Sequence, residues 1–120
     1  MLFRSTEFSE GEMILTRGES VDKLILIFIG EMAVEIEGKN IANLHSGSWV
    51  GEMSFINNEK ASADVRVVKM AKCVYWDRKD INRFLKNNDQ LRSAFYHILG
   101  VDIVKKIATI SERQRDWKGG

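Results

Sequence analysis

The chain has 120 residues, 44% of them apolar and 29% charged, with a formal net charge of +1. That length and composition describe one soluble globular domain with a single core, and not two domains. The longest apolar run, Leu24 to Ile29, is far short of the roughly 20 residues that span a bilayer, and the N-terminus lacks the basic-then-apolar layout of a signal peptide.

Taken in chain order, the first two-thirds alternate and turn like an antiparallel β protein. Met13 to Thr16 is a short strand candidate that ends at Arg17-Gly18. Lys23 to Ile29 is an isoleucine-rich strand, which Gly30 is expected to break. Met32 to Ile36 alternates apolar and polar except at Ala33, Glu37 to Asn40 is a hairpin turn, and Ile41 to Leu44 returns from it. Ser46-Gly47-Ser48 is a further turn, and Trp49-Val50 ends a strand. Val65 to Val68 and Lys72 to Trp76 read as another strand pair. Short strands with turns at intervals of roughly 8–12 residues suggest a sandwich or jelly roll. Cys73, the single cysteine, excludes an internal disulfide framework and fits a reducing compartment, so a cytoplasmic location is expected. Its place in an apolar run makes it a buried, inert thiol.

At Asp77 the period changes. Asp77 can cap a helix in which Ile81, Phe84 and Leu85 lie three and four apart. Asn87 to Asp89 interrupts it, and Leu91, Phe95, Ile98 and Leu99 form a second apolar stripe. Gly100 is expected to mark a bend, and Ile103, Ile107 and Ile110 form a third stripe that fades into a polar tail. The expectation is a mainly β chain forming one domain over 1–120: a roll over about 8–76, then helices over about 78–113. Residues 1–77 carry eight Lys/Arg against twelve Asp/Glu, and residues 78–120 carry ten against five. The basic C-terminal part has no compact basic run and no interleaved aromatics, so it reads as solvated helix rather than a nucleic-acid or membrane contact.

The chemistry concentrates between Gly47 and Val65. Gly51 follows an apolar strand end and lets a ligand approach the backbone, while Glu52 beside it can accept hydrogen bonds from a sugar diol. Met53 to Ile56 is a short apolar segment whose first amides suit an anion. Sugar and phosphate on one small ligand would satisfy all three. Enzymatic constellations are absent by contrast. His45 and His97 stand far apart without metal-ligand spacing, and there is neither a G-x-S-x-G elbow nor a phosphate loop ending in lysine. The reading is therefore not an enzyme, with no catalytic residue, metal or cofactor.

This stretch, G-S-W-V-G-E-M-S-F-I-N-N-E-K-A-S-A-D-V, resembles the phosphate-binding cassette of the cyclic nucleotide-binding domain family. The upstream run G-E-S-V-D-K-L-I-L-I-F-I-G and the glycines at Gly11, Gly18, Gly30, Gly38, Gly47 and Gly51 extend the resemblance over nearly the whole chain. It implies an antiparallel β-roll of the jelly-roll kind with C-terminal α-helices. It also implies a cyclic nucleotide site, for cyclic AMP before cyclic GMP, at Gly51, Glu52, Met53, Ser54, Lys60, Ala61, Ser62 and Ala63. The glutamate would accept from the ribose 2′-hydroxyl, and the amides of Met53 and Ser54 would hold the cyclic phosphate. The family commonly has an arginine ten residues after the glycine, where this chain has Ala61. Lys60 is the nearest cation in sequence, a point charge rather than a bidentate fork.

From Cys73 onward the chain also resembles the C-terminal part of the Popeye domain. Trp76, Arg78, Phe84, Leu85, Leu99, Gly100, Asp102, Ile103 and Lys106 carry the match. The Popeye motifs D-S-P-E and F-Q-V-T are missing, with G-E-M-S and A-S-A-D in their places. That resemblance implies a membrane-spanning segment in a longer parent protein, of which this would be the cytoplasmic part. The leading expectation is a regulatory module that senses a cyclic nucleotide, weakly for lack of the arginine, and forms a homodimer through its C-terminal helices. The alternative is an arginine-less orphan domain of the same fold used for protein interaction or dimerisation. A DNA-binding regulator would need a helix-turn-helix that these residues do not contain.

Overall fold

The computed structural model describes residues 3–102. In order they form β1 (Arg4–Phe8), β2 (Met13–Leu15), β3 (Lys23–Ile36), β4 (Lys39–Leu44), β5 (Trp49–Val50), α1 (Glu52–Asn57), β6 (Asp64–Asp77) and α2 (Arg78–Leu85). Residues 89–102 are helical as well, and are called α3. All strand pairs are antiparallel, in the order β1–β6–β3–β4, with β2 pairing β6 and β5 pairing β3. This is a β-roll with C-terminal helices.

The two long strands β3 and β6 organise everything else, and they correct the sequence-based expectation twice. Gly30 does not end its strand. β3 runs through it, and three register shifts between Ile27 and Met32 bend the pair there. At φ +118, Gly30 lies so close to β6 that a Cβ would sit 2.6 Å from both the Ala71 Cα and the Met70 carbonyl oxygen. The shifts also move the inward phase of β3 by one residue. Ile25 and Ile27 point into the roll before the bend, and Met32 does so after it. Ala33, on the opposite face from Met32, is buried as well. Val65–Val68 and Lys72–Trp76, expected as two paired strands, are parts of the single strand β6 and pair instead with β3, β2 and β1.

Two apolar clusters follow from the two faces of β3. Ile25, Ile27, Met32, Leu44, Val50, Val65, Val67, Ala71 and Cys73 fill the roll. Burial pushes the Cys73 thiol up to about 11, which suits an inert group. On the other face Leu24 packs with Phe55, Ile81, Leu85 and Leu99, flanked by Trp49, Trp76 and Phe95. This second cluster holds α1, α2 and α3 against one end of the roll. Each such side chain contributes roughly 1.5–3 kcal/mol on burial.

The helical part departs from expectation in detail. Asp77 is the N-cap residue of α2 but makes no side-chain capping bond. The interruption falls at residues 86–88, with Asp89 already helical, and the Asn88 Oδ1 accepts from the Leu91 amide to start the next helix. The second stripe divides: Phe95 packs inward and Leu99 is fully buried, whereas Leu91 and Ile98 are exposed. Phe84 is exposed too, so only Ile81 and Leu85 anchor α2. Gly100 does not end the helix, which continues through it to residue 102. The stripe at Ile103, Ile107 and Ile110 lies outside the described residues. β1 was not foreseen, since its five residues are largely exposed and carry little apolar alternation.

Candidate functional site

A cavity of about 260 Å³ opens between the roll and α1. Its walls come from β2, β3, β4 and β6, with Leu15, Val34, Leu44 and Val65 among them, and its floor comes from Gly51 to Ser54 and Ala61 to Ala63. Of the eight site residues expected from the sequence, seven line it: Gly51, Glu52, Met53, Ser54, Ala61, Ser62 and Ala63. Lys60 does not line it and is exposed. Among the described residues Glu52, only 1% exposed, is the charged member of the lining, and Ser54 is buried as well.

The turn into α1 sets this geometry. Gly51 is the N-cap residue of α1 at φ 90, ψ 5, in the left-handed region, and its carbonyl accepts from the Phe55 amide at 3.0 Å. A Cβ on Gly51 would lie 3.1 Å from both the Lys23 carbonyl oxygen and the Val21 Cγ1. The strained φ and the tight contact act together. Gly51→Ala is expected to cost about 1–2 kcal/mol. In a thermal scan the midpoint should fall by roughly 4–8 °C. An unchanged midpoint would mean that the turn relaxes without loss.

The segment after α1 is pinned to the turn between β2 and β3. The Ala61 amide donates to the Glu19 carbonyl at 2.9 Å, and the Ala61 carbonyl accepts from the Gly18 amide at 2.8 Å. Three residues on, the Asp64 Oδ1 accepts from the Arg17 amide at 2.8 Å. Alternation along this extended piece buries Ala61, Ala63 and Val65, all of which line the cavity. The Asp64 carboxylate serves the neighbouring turn, and Asp64 does not line the cavity.

Residues 5–88 match the model of the cyclic nucleotide-binding domain. The chain belongs to the cyclic nucleotide-binding domain family. Over 92 residues it is 27% identical to a cAMP-dependent protein kinase regulatory subunit of Dictyostelium discoideum, covering 70% of this chain and 28% of that one. It is 30% identical over 80 residues to a cGMP-dependent protein kinase of Toxoplasma gondii, covering 67% of this chain and 8% of that one. The chain thus spans a minor part of these relatives. A structure described as a cyclic nucleotide-binding protein of Geobacter metallireducens shares the fold at a TM-score of 0.79, with 16% identity, over 88% of this chain and 79% of that one. The family match ends at residue 88, before the Leu99 to Lys106 segment on which much of the Popeye resemblance rests.

Within this cyclic nucleotide-binding domain, one residue at the site was not foreseen from the sequence. Arg78, the first residue of α2, was legible only as part of the Popeye match. Its Nη2 donates to the Ser54 carbonyl at 2.8 Å, its Nη1 to the Asn58 Oδ1 at 3.0 Å, and its Nε to the Val21 carbonyl at 3.2 Å. The guanidinium also lies 5.4 Å from the centroid of the Phe55 ring. Arg78 therefore ties the helix that floors the cavity to the first turn of α2. The signal available in sequence was an arginine directly after the aspartate at the N-cap position, which says nothing about acceptors twenty or more residues away. The apolar walls were legible as alternation but not as the lining of one cavity. Both histidines are exposed, and among the described residues no cluster of His, Cys, Asp and Glu could hold a metal ion.

Proposed function

We propose that this domain is a non-catalytic, ligand-sensing regulatory module whose cavity takes a cyclic nucleotide, cyclic AMP before cyclic GMP, and holds it weakly. The observation that carries the reading is the cavity itself, floored by the Gly51–Glu52 turn, α1 and the Ala61–Ala63 segment of a family member. In this reading Glu52 is the residue that accepts from a ribose hydroxyl. The position resembling the phosphate-pairing arginine is a buried alanine. A missing charge-assisted contact of roughly 1.5–3 kcal/mol corresponds to a ten- to hundred-fold loss of affinity. Calorimetric titration with cyclic AMP and cyclic GMP tests this. The unmodified domain should bind cyclic AMP weakly, and Ala61→Arg should tighten binding ten- to hundred-fold. Equal affinity in the two proteins would mean that another group already serves the phosphate.

Ile98 and Val101 on α3 are exposed, at 56% and 44%, which supports homodimerisation through the C-terminal helices. Among the described residues no helix is long and apolar enough to cross a membrane. In this reading the domain works in the cytoplasm, either free or joined to a membrane-spanning segment as the Popeye resemblance suggests.

A further inference from the structure

A second recess, of about 450 Å³, lies between α2 and α3. Asn82, Arg83, Leu85 and Lys86 line it from the end of α2, and Arg92 and Tyr96 line it from α3. None of these residues lines the cavity at α1, so the two sites are separate. Arg92 and Tyr96 stand one turn apart, on the side of α3 opposite Ile98 and Val101. Arg83, Lys86 and Arg92 bring three cations into one recess, and Arg83 and Lys86 are exposed. Arg92 is ion-paired with Asp89 through one nitrogen of its guanidinium, a group with five donors. Leu85 and the Tyr96 ring add apolar surface to the same lining. Cations at the end of α2 complement the negative end of its dipole. That role asks for neither a third cation nor an aromatic ring on the facing helix.

Charge and shape together select the occupant. Cations beside apolar surface suit carboxylates carried next to apolar side chains. Residues 103–120 of this chain do not fit that description, with five Lys/Arg against two Asp/Glu. A concave site between two helices also suits an extended chain better than the flat face of a bilayer or a broad duplex. We propose that the recess between α2 and α3 docks an acidic peptide segment of a partner protein. Its carboxylates meet Arg83, Lys86 and Arg92, and its apolar side chains meet Leu85 and Tyr96. The proposal is independent of what the cavity at α1 binds.

A short fluorescein-labelled peptide of alternating Glu and Leu is the probe, and the same peptide with Gln for Glu is its uncharged twin. Fluorescence anisotropy with the full chain should show the Glu peptide binding about tenfold or more tightly than the twin, and less tightly as salt is raised. An exposed charge contact is worth only a few-fold, and reversal replaces attraction with repulsion. The double variant Arg83→Glu, Lys86→Glu should therefore weaken the Glu peptide by about tenfold or more. Lys79→Glu makes the same kind of charge change on α2 at an exposed position outside the recess, and should weaken it by less than about threefold. Equal losses in Lys79→Glu and in Arg83→Glu alone would mean that overall charge governs binding, and would overturn the proposal. So would a Glu peptide that binds no better than its twin. Tighter capture of duplex DNA or of phosphatidylserine vesicles than of the peptide would overturn it in favour of that occupant. Should the double variant not fold, Arg83→Gln and Lys86→Gln are read singly, and each should weaken the peptide a few-fold.

Discussion

Gly30→Ala should destabilise the domain by about 3–5 kcal/mol, a large part of the 5–15 kcal/mol that typically holds a domain together. Two costs combine. The residue sits at φ +118, a conformation L-residues rarely adopt, and such backbone strain costs about 1–3 kcal/mol. The added methyl would also meet the Ala71 Cα and the Met70 carbonyl oxygen at 2.6 Å, backbone atoms that can yield only by parting β3 from β6. Overpacking of that kind costs another 1–3 kcal/mol. Urea unfolding gives the number directly as a shift of midpoint at constant slope. Gly38→Ala is the control, since φ there is also positive but nothing lies within 4 Å of the added atom. It should lose only about 1–2 kcal/mol. If the two substitutions cost the same, the close approach of the strands contributes nothing.

Gly30 also marks the limit of what could be read from the sequence. A glycine after an isoleucine run is a sound local signal for a break, and locally it was right, because the ladder slips there. What the residues near it could not reveal is that another strand, forty positions on, lies against that glycine and carries the chain through. The same long-range pairing joined Val65–Val68 and Lys72–Trp76 into one strand, although Lys69 and Met70 look like a turn and are exposed. The cassette was legible because its logic is local: a turn glycine, a carboxylate beside it, a short helix and small residues within fifteen positions. Seven of its eight named residues line one cavity. Lys60 fell outside because the bonds of Ala61 to Gly18 and Glu19 fix the phase of the segment, and Lys60 is left exposed. Leu91 and Ile98 looked equivalent to Phe95 and Leu99 by spacing, yet the space beside Leu24 and Phe55 admits only the second pair. Periodicity gives a stripe, and the partner surface decides its width.

Arg78→Ala is the second substitution with a large expected effect, and it should act on the cavity through α1. The guanidinium satisfies two carbonyls, those of Val21 and Ser54, together with the Asn58 side chain. Hydrogen bonds to a charged group contribute roughly 1.5–3 kcal/mol, but these three share one partly exposed side chain and do not add in full. A loss of about 2–3 kcal/mol is therefore expected. Lysine at this position keeps the charge but has neither the planar fork nor the reach in three directions, so Arg78→Lys should recover little of the loss. The damage should also be local. α1 floors the cavity through Glu52, Met53 and Ser54, and Arg78 is the side chain that binds its C-terminal end to α2. Amide hydrogen exchange in α1 should quicken by about tenfold or more in either variant, since each 1.4 kcal/mol of local opening energy is a factor of ten. Exchange in the β3–β6 ladder should follow only the global loss. A double-mutant cycle with Asn58→Ala isolates one arm of the contact and should return a coupling of about 0.5–3 kcal/mol. Zero coupling, with α1 exchanging no faster than in the unmodified chain, would mean that the cavity floor and α2 are held together by the Leu24–Phe55–Ile81 packing alone.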